Sequence, residues 1–242
     1  MGNTRSTAGR DCEWKGPFSD EEYACLENKF KEAIVEAPSE AAAAANLQTW
    51  LELPLPAASE DLSAPCRQLG AAFYRLCVET NEDREAGKSG KLQMVNFAQG
   101  VAQCVRASSQ SICRSLFKLF TAHAPTNAMT EQELSQLMFA CLVMAEGAEV
   151  EDVGQMVHVA KALARAAMPP SAESTKTSSD DFVRWIGAQF PLLYTIFMSW
   201  MVRKSFKSLT KPSFEAPQLS HKSGILSRYC ITLFTFSCGL LV

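Results

Sequence analysis

The sequence predicts an all-α fold assembled from paired helix–loop–helix units, and three observations predict it. Ala, Leu, Met, Glu and Gln, which lose little on entering a helix, are plentiful in a chain of 242 residues that is 47% hydrophobic. Apolar residues recur at three- and four-residue spacing along most of its length, the mark of helices with one buried face. Two twelve-residue stretches, whose starts lie 122 − 85 = 37 positions apart, carry matching turn and apolar positions.

The first stretch is Glu85-Ala-Gly-Lys-Ser-Gly-Lys-Leu-Gln-Met-Val-Asn96. Laid on an EF-hand loop, Gly90 falls at position six, where the sharp turn needs positive φ. Leu92 falls at position eight, the apolar residue that pairs with a sister loop. Asn96 replaces the bidentate glutamate of position twelve, and Phe97 begins the core face of the exiting helix. In the second stretch, from Ala122 to Glu133, Asn127 takes the turn, Met129 position eight and Glu133 position twelve. The two units are expected to pair back to back as a degenerate EF-hand-like bundle. Their calcium chemistry is gone. Calcium takes six to eight oxygens, several from carboxylates. Glu85, Gly87, Ser89 and Asn96 in one loop, and Ala122, Ala124, Thr126 and Glu133 in the other, supply one carboxylate each. Lys88 and Lys91 add positive charge. No metal is expected. The plain alternative is two ordinary helical hairpins.

The elements follow in order. Met1-Gly-Asn-Thr-Arg-Ser6 fits N-myristoylation at Gly2; the plain alternative is an unmodified terminus. One such chain gives marginal membrane binding, so a second signal is sought in Arg5, Arg10, Lys15 or an acylated Cys12. Ser19 and Glu22 make a capping box, with Phe18 and Tyr23 at staple spacing. Tyr23, Leu26, Phe30 and Ile34 form the stripe of a first helix, closed by Pro38. Ala41 to Ala45 reads as helical or mobile. Leu47, Trp50 and Leu51 suggest a short helix ended by Pro54 and Pro56. Leu62 to about Glu79 carries Leu69, Phe73 and Leu76 into the first loop, and Met94, Phe97, Val101 and Val105 leave it. Ile112, Leu116, Leu119 and Phe120 enter the second loop. Thr130 and Glu133 form another capping box, which offers Glu133 a task other than metal binding. A further helix runs from about Glu149 to Met168 and stops at Pro169-Pro170. A polar Ser/Thr-rich linker follows. Phe182 to Phe206 is strongly apolar, with Pro191 kinking it or starting a new helix, and reads as a buried core helix. Tyr229 to Val242 is an apolar tail too short for a confident transmembrane span.

Composition narrows function. A formal charge of −3 disfavours a nucleic-acid partner. Nine cysteines, an odd number without a CxxC pair, argue against a disulfide framework. Gly87-Lys88-Ser89 imitates a phosphate loop, but Glu82 stands where its first glycine belongs. His123, His158 and His221 are isolated, His158 reading as a core or boundary residue, and no zinc spacing or nucleophile elbow appears. No catalytic residue and no cofactor is expected.

Met1-Gly-Asn-Thr-Arg-Ser6, Phe18-Ser-Asp-Glu-Glu22, the degenerate loops, Asp180-Asp-Phe-Val-Arg-Trp-Ile186 and Phe190-Pro-Leu-Leu193 occur in an informative order. Together they resemble the N-terminal half of the mTOR-associated TLDc-domain family of myristoylated lysosomal adaptors, over residues 1 to 227. Ser223-Gly-Ile-Leu-Ser227 resembles the entry into the TLDc domain. The resemblance implies a role in mTOR signalling at the lysosome, with mTOR complex components or the vacuolar proton pump as partners. It carries over one residue, the lipidation position Gly2. The departure is Tyr229 to Val242, where the TLDc domain should continue, so a truncated or alternatively spliced form is expected. The chain is also similar to recoverin-like calcium sensors in its acylated start and paired hands, but not in its calcium ligands.

The organisation expected is an acylated flexible N-terminus (1–17), an EF-hand-like helical domain (18–168), a linker (169–179), an apolar helical segment (180–208), a connector resembling TLDc entry (209–228) and a divergent apolar tail (229–242). The function expected is a non-catalytic, membrane-tethered adaptor or regulator, cytoplasmic and peripheral on lysosomal or other membranes. The alternative is a calcium-sensing switch.

Overall fold

A helix begins where a side chain accepts its first unpaired amide hydrogens, and this chain marks several starts that way. The computed structural model describes residues 16–53, 65–79, 92–121, 128–146, 153–168, 176–189, 191–207 and 209. Among them the all-α fold is borne out, with one short antiparallel ribbon. Helix α1 (Asp20–Phe30) opens with the predicted box: Ser19 Oγ accepts from the Glu22 amide, and the Glu22 carboxylate accepts from the Ser19 amide. A π-helical turn, Lys31–Val35, follows it. Helix α2 (Glu40–Trp50) is capped by Ser39, so the alanine run is helical.

Those alanines serve packing. Helix α3 (Leu69–Glu79), entered through a 3₁₀ turn at Pro65–Gln68, crosses α2 at Gly70. A Cβ at Gly70 would collide with the backbone of Gln48 and the Ala44 carbonyl. Gln48 bridges the crossing, accepting from the Gly70 amide at 2.9 Å and donating to the Cys66 carbonyl at 2.8 Å. Helix α4 (Met94–Val105) brings Phe97 against Phe30, Trp50 and Phe73, with ring centroids 5.6 to 6.0 Å apart.

Helix α5 (Ser109–Thr121), strand β1 (Ala128–Thr130) and helix α6 (Glu131–Glu146) form one helix–strand–helix unit. Helix α7 (Val153–Ala167), strand β2 (Lys176–Ser178) and helix α8 (Ser179–Gln189) form another. The strands pair antiparallel, Ala128 with Ser178, Met129 with Thr177 and Thr130 with Lys176. α6 packs on α7 and α5 on α8. Two expectations are corrected here. The ribbon partner of Met129 is Thr177, not the segment carrying Leu92, and residues 176–178 of the expected linker are a strand. Thr177 is β-branched and fully buried between exposed Lys176 and half-buried Ser178, which is the alternation of a strand.

Helix α9 (Pro191–Phe206) is a new helix rather than a continuation, and it meets α8 at 100°. Proline at the first helical position forfeits no hydrogen bond. Ile196 through Val202 is a run of seven residues, six of them buried hydrophobics plus buried Ser199, so α9 is enclosed on all sides. It packs against α1, α4, α5, α6 and α8. The apolar segment is therefore part of the same core as the helices before it. Among the described residues no single helix is long and apolar enough to cross a membrane. His158 is exposed on α7, not in the core.

A buried ion pair that sequence reading missed ties the N-terminal end together. Glu22 is fully buried, and its Oε1 accepts from Arg106 at 2.6 Å. The Arg106 guanidinium also lies 5.9 Å from the Phe18 ring centre.

In an open helix Gly→Ala stabilises by about 1 kcal/mol. At Gly70 the sign should reverse. We expect Gly70→Ala to lower stability by about 1–3 kcal/mol, read as a lower urea midpoint. Arg106→Met leaves the Glu22 carboxylate buried without its guanidinium and should cost about 3–5 kcal/mol in the same measurement.

Candidate functional site

The helix–strand–helix pair contains the second of the two expected loops, which ends on Glu133. Glu133 is the third residue of α6, and its carboxylate accepts from the Thr130 amide at 2.7 Å and from the Thr130 hydroxyl at 2.9 Å. Thr130 Oγ1 in turn accepts from the Glu133 amide. The second unit repeats the arrangement in part, without the bond from the cap amide. Asp181 is the third residue of α8 and accepts from the Ser178 hydroxyl at 2.7 Å, while Ser178 Oγ accepts from the Asp181 amide. With Thr177 opposite Met129, a twelve-residue frame for the second unit runs from 170 to 181 and ends on Asp181. Both terminal carboxylates are thus engaged in starting a helix, where they also meet the positive end of its dipole.

The remaining expected positions divide. Met129 and Leu92 are buried, as an apolar position eight requires. Asn96 is the third residue of α4, only 4% exposed, and its Oδ1 has no hydrogen-bond partner among the described residues. Gln93, at the cap of α4, makes no side-chain cap bond, so Asn96 has no reciprocal partner of the kind Glu133 and Asp181 enjoy. Glu85, Gly90 and Asn127 lie outside the described residues, as do Gly2 and Cys12. Among the described residues, no group of three or more His, Cys, Asp or Glu side chains is placed to hold a metal ion.

Sequence reading did not foresee how the thiols are placed. Cys66, Cys77, Cys104, Cys113 and Cys141 are all buried and unbridged. Cys77 Sγ sits against Gly100, filling the space a side chain there would need. Burial pushes the Cys66 and Cys104 thiols up to about 12 and Cys113 up to about 11. Cys77 and Cys141 are raised as well, by desolvation first and by neighbouring thiols second. The thiolate is the nucleophile and the metal ligand, so these five groups are chemically quiet at neutral pH. They behave as small apolar core residues.

No protein-family model, no curated protein and no solved structure matches the chain.

The thiols predict a pH dependence with a definite sign. A thiol held neutral in the fold, against an ordinary value of 9.0, contributes fully at lower pH. Above pH 9 the unfolded chain loses protons that the folded chain keeps, and each thiol removes about 1.4 kcal/mol per pH unit. Stability should begin to fall at pH 9 and keep falling towards about 11 for Cys113 and about 12 for Cys66 and Cys104. Urea midpoints across that range check this, and Cys104→Ala should flatten the slope.

Proposed function

We propose that this chain is a non-catalytic, membrane-tethered adaptor. In this reading Gly2 carries a myristoyl group and the helical body presents a rigid surface to protein partners. The body is a degenerate EF-hand pair, α5–β1–α6 with α7–β2–α8, rather than the pair of loops 37 positions apart. The observation that carries the reading is the commitment of Glu133 and Asp181 to the starts of α6 and α8. An ion-binding hand turns its last carboxylate toward the loop centre; here Glu133 accepts from the Thr130 amide and hydroxyl, and Asp181 from the Ser178 hydroxyl and Arg184. The ribbon register, with Met129 opposite Thr177, holds the two units side by side.

The resemblance of Met1–Ser6, Phe18–Glu22 and Asp180–Ile186 to the TLDc-domain adaptors places this role in mTOR signalling at the lysosome. The partners would then be mTOR complex components or the vacuolar proton pump. A calcium-sensing switch is the competing reading, favoured by the same ribbon and by an acid at the third position of both exiting helices. It requires Glu133 and Asp181 to leave their caps, each worth about 1 kcal/mol, for loops poor in other carboxylates.

Two measurements decide between them. Gly2→Ala should move the chain from the membrane fraction to the soluble fraction, because one myristoyl chain binds with a constant near 10⁴ M⁻¹. Unchanged fractionation would refute the tether. Calorimetry with calcium should show no binding at micromolar concentrations, and a saturable signal there would establish the switch.

A further inference from the structure

We infer that the cleft between α1 and the last turn of α9 is a docking surface for a membrane of anionic phospholipid. This inference rests on the tether reading and names the second contact that a single acyl chain needs.

The cleft has a volume of about 950 Å³. Trp50, Trp200 and Phe206 contribute apolar wall, and Lys29, Arg203, Lys204 and Lys207 bring positive charge. Glu32 is the one carboxylate in the described lining, and Lys29 binds it at 2.9 Å. The lining therefore carries 4 − 1 = 3 positive charges in a chain whose formal charge is −3.

The cations on α9 are held in place without being neutralised there. Arg203 donates to the Met144 carbonyl at 3.0 Å. Lys204 donates to the Glu52 carbonyl at 2.7 Å and lies 5.9 Å from the Trp200 ring centre. The Glu52 carboxylate acts electrostatically on Lys204 but does not line the cleft. Carbonyl oxygens orient a cation and leave its charge available to an outside anion. Lys207 is exposed.

The segment that carries Gly2 joins the body beside this cleft. Gly16 has φ 58, a left-handed turn, and Phe18 then stacks on Phe206 at 5.8 Å. Residues 1–15 therefore join the body at the edge of the cleft. Gly2 lies 16 − 2 = 14 residues from Gly16, a tether that reaches at most about 50 Å. An acyl chain in the bilayer confines the body to within about 50 Å of the headgroups, so the second contact forms within an already tethered molecule. Cations around the rim of a partly apolar cleft suit an anionic headgroup layer. Each basic residue at an anionic surface contributes about 5-fold, and three together on the order of 100-fold.

The test uses the full chain, with and without N-myristoylation, sedimented with phosphatidylcholine vesicles that contain or lack phosphatidylserine. Arg5, Arg10 and Lys15 also favour the anionic vesicles, so a variant of the cleft decides the matter. Lys207→Glu, a change of two charges at an exposed side chain, should weaken binding to phosphatidylserine vesicles by about 20-fold. It should leave binding to phosphatidylcholine unchanged. Lys207→Gln should show about 5-fold, and an unaltered thermal midpoint shows that both variants fold. The unacylated chain should keep weak, salt-sensitive binding to the anionic vesicles that Lys207→Glu removes. Equal binding of Lys207→Glu and the parent chain to anionic vesicles overturns the proposal and leaves the cations to an acidic protein segment. If instead acylation has no effect while Lys207→Glu does, the tether reading fails and the surface stands.

Discussion

Helix α9 is the constraint around which the molecule is arranged. A helix that is apolar on every side cannot lie on a surface, because each exposed face would cost what burial returns. It must be enclosed, and five other helices enclose it. The last turn is fixed with equal care. Arg203 reaches a carbonyl in the last turn of α6 and Lys204 one just past α2, and the indole of Trp50 donates to the Lys204 carbonyl at 3.0 Å. These are the carbonyl and cation interactions a helix C-terminus favours. Because α9 touches both the N-terminal helices and the two helix–strand–helix units, one core runs through the whole of the described chain.

Within that core the third helical position recurs as a decision point. Glu22, Glu133 and Asp181 all occupy it; Glu22 and Glu133 close capping boxes, and Asp181 binds the hydroxyl of its cap, Ser178. Asn96 occupies it too, on a helix whose cap is Gln93, and is left with a buried carbonyl oxygen. In a calcium loop the same position supplies the bidentate ligand. A carboxylate there can face the ion or the helix start, and in this chain Thr130 and Ser178 engage Glu133 and Asp181 at the helix start. Glu22 shows how far such a residue can be drawn into the core when Arg106 is present to compensate its charge.

Helix identity was legible in the sequence wherever a stripe and a cap coincided. Ser19 with Glu22, and Thr130 with Glu133, are local signals, and their helices begin where the residues say. The fate of Pro191 was legible as a pair of options, and proline at a first helical position is the stable one. The ribbon was not legible, because Thr177 lies in a stretch rich in Ser and Thr whose composition reads as linker. Its strand character depends on Met129, 48 residues away, and pairing at that distance leaves no local period. The same holds for Arg106, which looks like a surface arginine until Glu22 and Phe18 are brought beside it. Gln48 is a third case, since its two bonds across the α2–α3 crossing need Gly70 to be in place. Of the expected loop positions, Met129, Leu92 and Glu133 had identifiable structural duties in the sequence. Gly90 and Asn127 lie outside the residues the structure describes.

One helix links the interior to the surface on which the functional reading turns. The enclosure of Ile196 to Val202 fixes the axis of α9, and that axis fixes where Arg203, Lys204 and Lys207 emerge. Phe206 belongs to both regions, buried in the core and stacked on Phe18 at the point where the N-terminal segment joins. Charges on a loop would be free to turn away from a bilayer, whereas charges on the end of a core helix keep their orientation with the body. If residues 1–15 bring an acyl group to a membrane, the orientation of the helical body there is set by the packing of α9 rather than by the tether. The surface left to partner proteins is then the remainder, including the outer faces of α7 and α8, where His158 and Arg184 are exposed.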